Sequence, residues 1–191
     1  MILTAALSAC TAQVPVSPHD TSNSAAQGPE FSGPWAAEFS QAYTDAPSDF
    51  IRSILAQGEI TDANLAETQQ LNKACLESAG FSDVEHFMRG GLSVTPPKGR
   101  SDADIHDLVR QCSDDSGLTQ IETLYTALLI NPDNADMDEL AVQCLITEQV
   151  VEPSFTVADL QSWYDRDDPR LLASGVAANC TFDPLKRTGE W

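Results

Sequence analysis

Five cysteines, at positions 10, 75, 112, 144 and 180, are the residues of this chain most able to form new bonds. Cys10 ends the run Leu7-Ser8-Ala9-Cys10, close behind small residues near the amino terminus. Cys75 and Cys112 lie 37 positions apart, and Cys144 and Cys180 lie 36 apart. No two cysteines are two to four positions apart, so the spacing fits neither a zinc site nor a Cys-x-x-Cys redox pair. Distant cysteines in even number read instead as structural disulfides of an exported domain. Four cysteines allow three connectivities, and the near-equal spacing favours Cys75–Cys112 with Cys144–Cys180.

Other chemistry is thinner. Asp133, Asp136, Asp138 and Glu139 form the densest acidic segment, but the sixth place of a calcium loop counted from Asp133 is Asp138 and not glycine. Helix capping accounts for the cluster, as it does for Asp165, Asp167 and Asp168 before Pro169. His19, His86 and His106 stand without a Gly-x-Ser-x-Gly elbow, and no phosphate-binding glycine loop is present. The expectation is therefore no catalytic residue, no metal and no cofactor. Trp35, Tyr43, Trp163, Tyr164 and Trp191 are the aromatics that could build a platform for glycan or peptide, with core packing the ordinary role for Trp163.

A net charge of −19 with scattered Asp and Glu argues against nucleic acid as a partner, which needs a basic face. Hydrophobic residues make up 42%, enough for a packed core. Met1–Cys10 is apolar but too short to cross a bilayer. It reads as a lipoprotein-type signal segment whose lack of Lys or Arg suggests a true start further upstream. Residues 11–34, rich in Pro, Ser, Ala and Gln, read as a disordered tether.

The elements that must position the cysteines are mostly helices. Trp35, Phe39 and Tyr43 recur every four residues; Phe50, Ile51, Ile54 and Leu55 follow after Pro47-Ser48. Thr61 caps a helix running through Cys75 to Gly80, and Ser101 caps one reaching Cys112. Between them Val84, Phe87, Gly90-Gly91, Leu92 and Val94 read as a β-hairpin. Leu118–Ile130, a helix leading to Cys144, one from Val157 to Tyr164 and one from Pro169 to Cys180 complete the chain. The fold class is mainly α, two disulfide-closed helical units with one small hairpin, with α+β as the alternative. Residues 35–191 form one domain with an imperfect repeat, about 50–115 and 116–182.

Ile54-Leu-Ala-Gln-Gly58-Glu-Ile-Thr61, then Cys75-Leu-Glu-Ser-Ala-Gly80-Phe81, a glycine hairpin and Cys112 resemble a family of uncharacterised actinobacterial secreted lipoproteins. Leu124-Tyr125 through Asn131-Pro132, followed by Cys144-Leu145, is similar to that family's second segment. Gln57 stands where the family has Asp, and Glu148-Gln149-Val150 replaces a Gly-aromatic pair in the second copy. The resemblance covers about residues 50–180. It implies a location but no activity: a bacterial membrane protein, lipid-anchored through Cys10 at the extracytoplasmic face. The expected function is a binding or interaction module held on the bilayer, with an envelope protein or a glycan as partner. An envelope-acting hydrolase and a structural accessory subunit are the alternatives.

Overall fold

The computed structural model of the protein describes residues 28–87, 91–173 and 175–189. Cys10, His19 and Trp191, with the stretch expected to be a signal segment and most of that expected to be a tether, lie outside these residues. The described elements are α1 (Ala36–Asp45), α2 (Asp49–Leu55), α3 (Asp62–Ser78), β1 (Ser82–Phe87), β2 (Gly91–Thr95), α4 (Asp102–Asp115), α5 (Leu118–Ile130), α6 (Met137–Thr147), α7 (Val157–Asp165), α8 (Arg170–Ala173) and α9 (Gly175–Phe182). The fold is mainly helical with one antiparallel hairpin.

Side-chain caps explain where the helices begin. Ser48 accepts from the Ile51 amide at α2, and Asp136 from the Asp138 and Glu139 amides at α6. Thr61–Asn64, Ser101–Asp104 and Thr156–Asp159 form reciprocal capping boxes at α3, α4 and α7. Each such cap stabilises its helix by about 1 kcal/mol, because it satisfies amide groups that have no partner inside the helix. The hairpin pairs Glu85 with Ser93 and His86 with Leu92. An extra residue in β1 shifts the register between Ser82 and Glu85, where Asp83 has φ 54°. Of the expected glycine turn, Gly91 begins β2 and Gly90 lies outside the described residues.

The apolar residues gather into three clusters. Phe39, Ile51, Leu55, Leu65 and Ile121 join α1, α2, α3 and α5. Leu76, Phe81, Val84 and Cys112 join the end of α3, the hairpin and α4. Leu145, Leu160, Ala177, Cys144 and Cys180 join α6, α7 and α9. Helix α3 runs through the first two, so α1–α5 make one unit and α6–α9 the other.

This division differs from the repeat boundary expected at residue 116: α5 packs on α1, α3 and α4. The cause lies at Gly117, whose φ of 73° turns the chain straight back from α4. A Cβ there would lie 2.6 Å from Ile51 Cγ1, so the turn is pressed against the core. Residues 28–34, assigned to the tether by composition, also meet the first unit: the Phe31 ring stacks 5.8 Å from Phe39 and meets Tyr43 edge-on at 6.0 Å. A single aromatic among Pro, Gly and Ser is enough to hold that stretch against α1.

Cys75 bonds to Cys112 and Cys144 to Cys180, with Cα–Cα distances of 5.6 and 5.4 Å. The first bond joins α3 to α4 and the second joins α6 to α9. Past α9, the buried Asp183 carboxylate accepts from the Arg187 and Thr188 amides and the Thr188 hydroxyl, all at 2.8 Å. Those bonds fold the last described residues back onto the unit.

Candidate functional site

The two units share a local frame around their first cysteines. In α3 the sequence Cys75-Leu76 ends four residues later at Gly80-Phe81; in α6 Cys144-Leu145 ends four residues later at Gln149-Val150. Both helices close with the same pair of bonds. The Gly80 amide donates to the Glu77 carbonyl and the Phe81 amide to the Leu76 carbonyl, each at 3.0 Å. The Gln149 amide donates to Ile146 at 3.0 Å and the Val150 amide to Leu145 at 2.9 Å. This closure requires a left-handed residue just past the helix, and glycine supplies it without cost. Gly80 has φ 93°, and Gln149 takes φ 58° in spite of its side chain. Leu76 and Leu145 are both fully buried beneath the two turns.

Beyond the shared turn the units diverge. The first buries Phe81 and packs β1 and β2 over it, with Val84 inward and Leu92 and Val94 alongside. The second has no hairpin at this place: residues 151–156 run as a loop into α7. Above Ile146, Val150, Val151 and Phe155 a cleft of about 750 Å³ stays open, within the size range of small-molecule sites.

An aromatic column forms one wall of this cleft. Trp163, near the end of α7, is 5% exposed, so it packs as core instead of offering a free platform. Phe155 meets it at 4.7 Å between centroids. The Arg170 guanidinium carbon lies 4.3 Å above the indole centroid, within the range of cation–π attraction. Asp168 orients that guanidinium, accepting from Arg170 Nε at 2.8 Å and Nη2 at 2.5 Å. The same bonds hold the Asp168 carboxyl down at about 2, so the pair keeps both charges in any ordinary buffer. The Arg170 side chain faces solvent while that of Asp168 is largely covered, and the exposed arginine keeps the pair's contribution to stability small, so its main effect is orientation.

Glu152, Ser154 and Asp159 add acidic and polar groups to the lining. Asp159 already accepts from the Thr156 amide at 3.0 Å and hydroxyl at 2.7 Å. The hydroxyl bond is the main reason its carboxyl lies below the usual range. The cleft thus offers an apolar floor, the carboxylates of Glu152 and Asp159, of which Asp159 is held by Thr156, and one fixed guanidinium.

No protein-family model, no curated protein and no solved structure matches this chain. The reading of the site rests on its geometry.

The residues singled out from the sequence do not converge on one place. Trp35 immediately precedes α1 and donates its indole Nε1–H to the Asn131 carbonyl at 3.0 Å. Tyr43 packs with Phe31, and the Arg52 guanidinium lies 5.9 Å from its ring centroid. Tyr164 is exposed on α7, and its hydroxyl is raised by burial of its surroundings and by Asp138. His86 sits half-buried on β1 and His106 is exposed on α4, so neither lines the cleft. Asp136 is used as the cap of α6, and among the described residues no three His, Cys, Asp or Glu are placed to hold a metal ion.

Phe155 and Arg170 carry the cleft wall and escape a reading of the sequence alone. The signal is faint but present: Asp168-Pro169-Arg170 fixes the arginine just past the helix that carries Trp163.

Proposed function

We propose that this protein is an extracytoplasmic, lipid-anchored binding module, and that the cleft of its second disulfide unit receives the ligand. The observation that carries the reading is the difference between the two units. The same cysteine frame is covered by a hairpin in one and left open, with fixed charges around an apolar floor, in the other. A cleft of that make-up suits a ligand with an apolar body and polar edges, such as a glycan or a peptide end. Two disulfides in a small helical fold favour an oxidising compartment. With four of the five cysteines paired to each other, Cys10 remains for the anchor, and the residues before it favour that use.

Detergent-phase partitioning of the full chain from a bacterial host tests the anchor. The wild-type protein is expected in the detergent phase and Cys10→Ala in the aqueous phase. An unchanged partition on Cys10→Ala would remove the anchor from the account.

A further inference from the structure

The joint between the two units is the loop 131–136, which runs from the end of α5 to the start of α6. Each of the three apolar clusters lies wholly on one side of it, and α6–α9 pack chiefly on one another. Two units without a shared core turn about the segment that joins them unless other contacts fix it. Polar contacts do so here.

Inside the loop, the buried Asn131 closes a ring. Its Nδ2 donates to the Ala135 carbonyl at 2.8 Å, and its Oδ1 accepts from the Ala135 amide at 2.9 Å. The ring shapes the loop; the residues that open α1 hold it. Trp35 donates its indole Nε1–H to the Asn131 carbonyl at 3.0 Å. Asn134 donates through Nδ2 to the Pro34 carbonyl at 2.9 Å and to Glu38 Oε1 at 3.1 Å. Asn134 has φ 48°, a left-handed backbone that asparagine adopts more readily than most residues, so its type suits both the turn and the bonds. Glu38 Oε2 is buried without a partner, which leaves Asn134 as the donor to this carboxylate among the described residues. The stretch ahead of these residues is itself seated on the first unit, through Phe31 against Phe39 and Tyr43.

We infer that residues 34–38 are a latch on this joint. Their bonds to Asn131 and Asn134 hold the second unit, and with it the open cleft, in one orientation to the first. Loss of those bonds lets α6–α9 turn as a body about residues 131–136. The latch thereby couples the amino-terminal end of the fold to the direction of the cleft.

Residual dipolar couplings of the full chain in a dilute aligning medium test the latch. In the wild-type protein, couplings from α1–α5 and from α6–α9 are expected to fit one alignment tensor. Trp35→Phe keeps an aromatic ring and removes the indole N–H. Asn134→Asp keeps a residue type that tolerates the left-handed turn and puts an acceptor where the donor to Glu38 stood. The double variant is expected to lose the shared tensor and to need one for each unit, while couplings inside each unit still fit that unit's own structure. Tyr125→Phe removes a comparable bond inside the first unit, from the Tyr125 hydroxyl to Asp62 at 2.8 Å, and is expected to leave a single tensor. A single tensor in the double variant would overturn the inference, as would two tensors in the wild type or in Tyr125→Phe. Loss of the fit within α6–α9 would overturn it as well, since the bonds would then serve folding and not orientation.

Discussion

In the first unit the chain leaves the Cys75–Leu76 helix through Gly80, buries Phe81 and lays a hairpin over it. In the second it leaves the Cys144–Leu145 helix through Gln149 and runs on as an uncovered loop. The staple and the buried leucine are the same, so they do not decide whether a surface is closed or open. What the chain does after the turn decides it. The units also differ in what supports them. The first adds the α1, α2 and α5 cluster to its disulfide, whereas the buried core of the second is small and includes both of its own half-cystines. An open cleft therefore sits on the unit that leans most on its covalent bond.

Removing the bonds should expose that asymmetry most strongly. Each disulfide closes a loop of 36 or 37 positions and contributes roughly 4 kcal/mol in the chain-entropy view. With Cys144→Ala/Cys180→Ala, hydrogen exchange should show α6–α9 opening while α1–α5 stay protected. With Cys75→Ala/Cys112→Ala, the α1, α2 and α5 cluster should keep its protection. Equal loss in both variants would erase the proposed difference in support.

Gly117→Ala probes the first unit alone. The new Cβ would meet Ile51 at 2.6 Å in a left-handed backbone, a cost of about 2–3 kcal/mol. Thermal unfolding should fall for the first unit, and exchange in α6–α9 should not change.

A smaller pair of variants exchanges the two turn residues. Gly80→Gln should destabilise by about 1 kcal/mol, since φ is 93° and the Cβ would touch Pro97 at 3.4 Å. Gln149→Gly should stabilise by about 0.5 kcal/mol, the left-handed strain relieved outweighing the added freedom of the unfolded chain. Denaturant midpoints check both, and a loss on Gln149→Gly would mean that its side chain supports the turn.

The mildest contrast is in pH. Burial, helped by Lys73, lowers the His86 pKa below its ordinary 6.5. The unfolded chain then takes up the proton first, so this contribution to stability is present above 6.5 and is lost as pH falls below it. Protection of the β1 and β2 amides relative to their intrinsic exchange rates should fall as pH falls through that window. The second unit contains no histidine, so its protection should stay level there. A parallel fall in α6–α9 would show that the units open together.

Much of this fold is legible in the sequence, because capping is local. Ser48, Thr61, Ser101, Asp136 and Thr156 each mark a helix start with their own side chains. The disulfide pairing follows from the spacing, and the hairpin from its alternation around glycine. The place of α5 was not legible: Leu118–Ile130 is apolar enough to suit either unit, and only the contact of Gly117 with Ile51 selects one. The cleft was still less so. It exists because none of the described residues closes over the surface at Val150, and an open surface leaves no pattern in a sequence; Phe155, Trp163 and Arg170 meet only after α7 has packed.

The central claim is that the second unit's uncovered frame is the binding surface. Titrating the protein with phenol and indole as small probes, read by methyl and aromatic NMR, tests it directly. The account predicts shifts concentrated on Ile146, Val150, Val151 and Phe155. Shifts centred on Phe81, Val84 and Leu92 of the first unit, with the cleft silent, would contradict it.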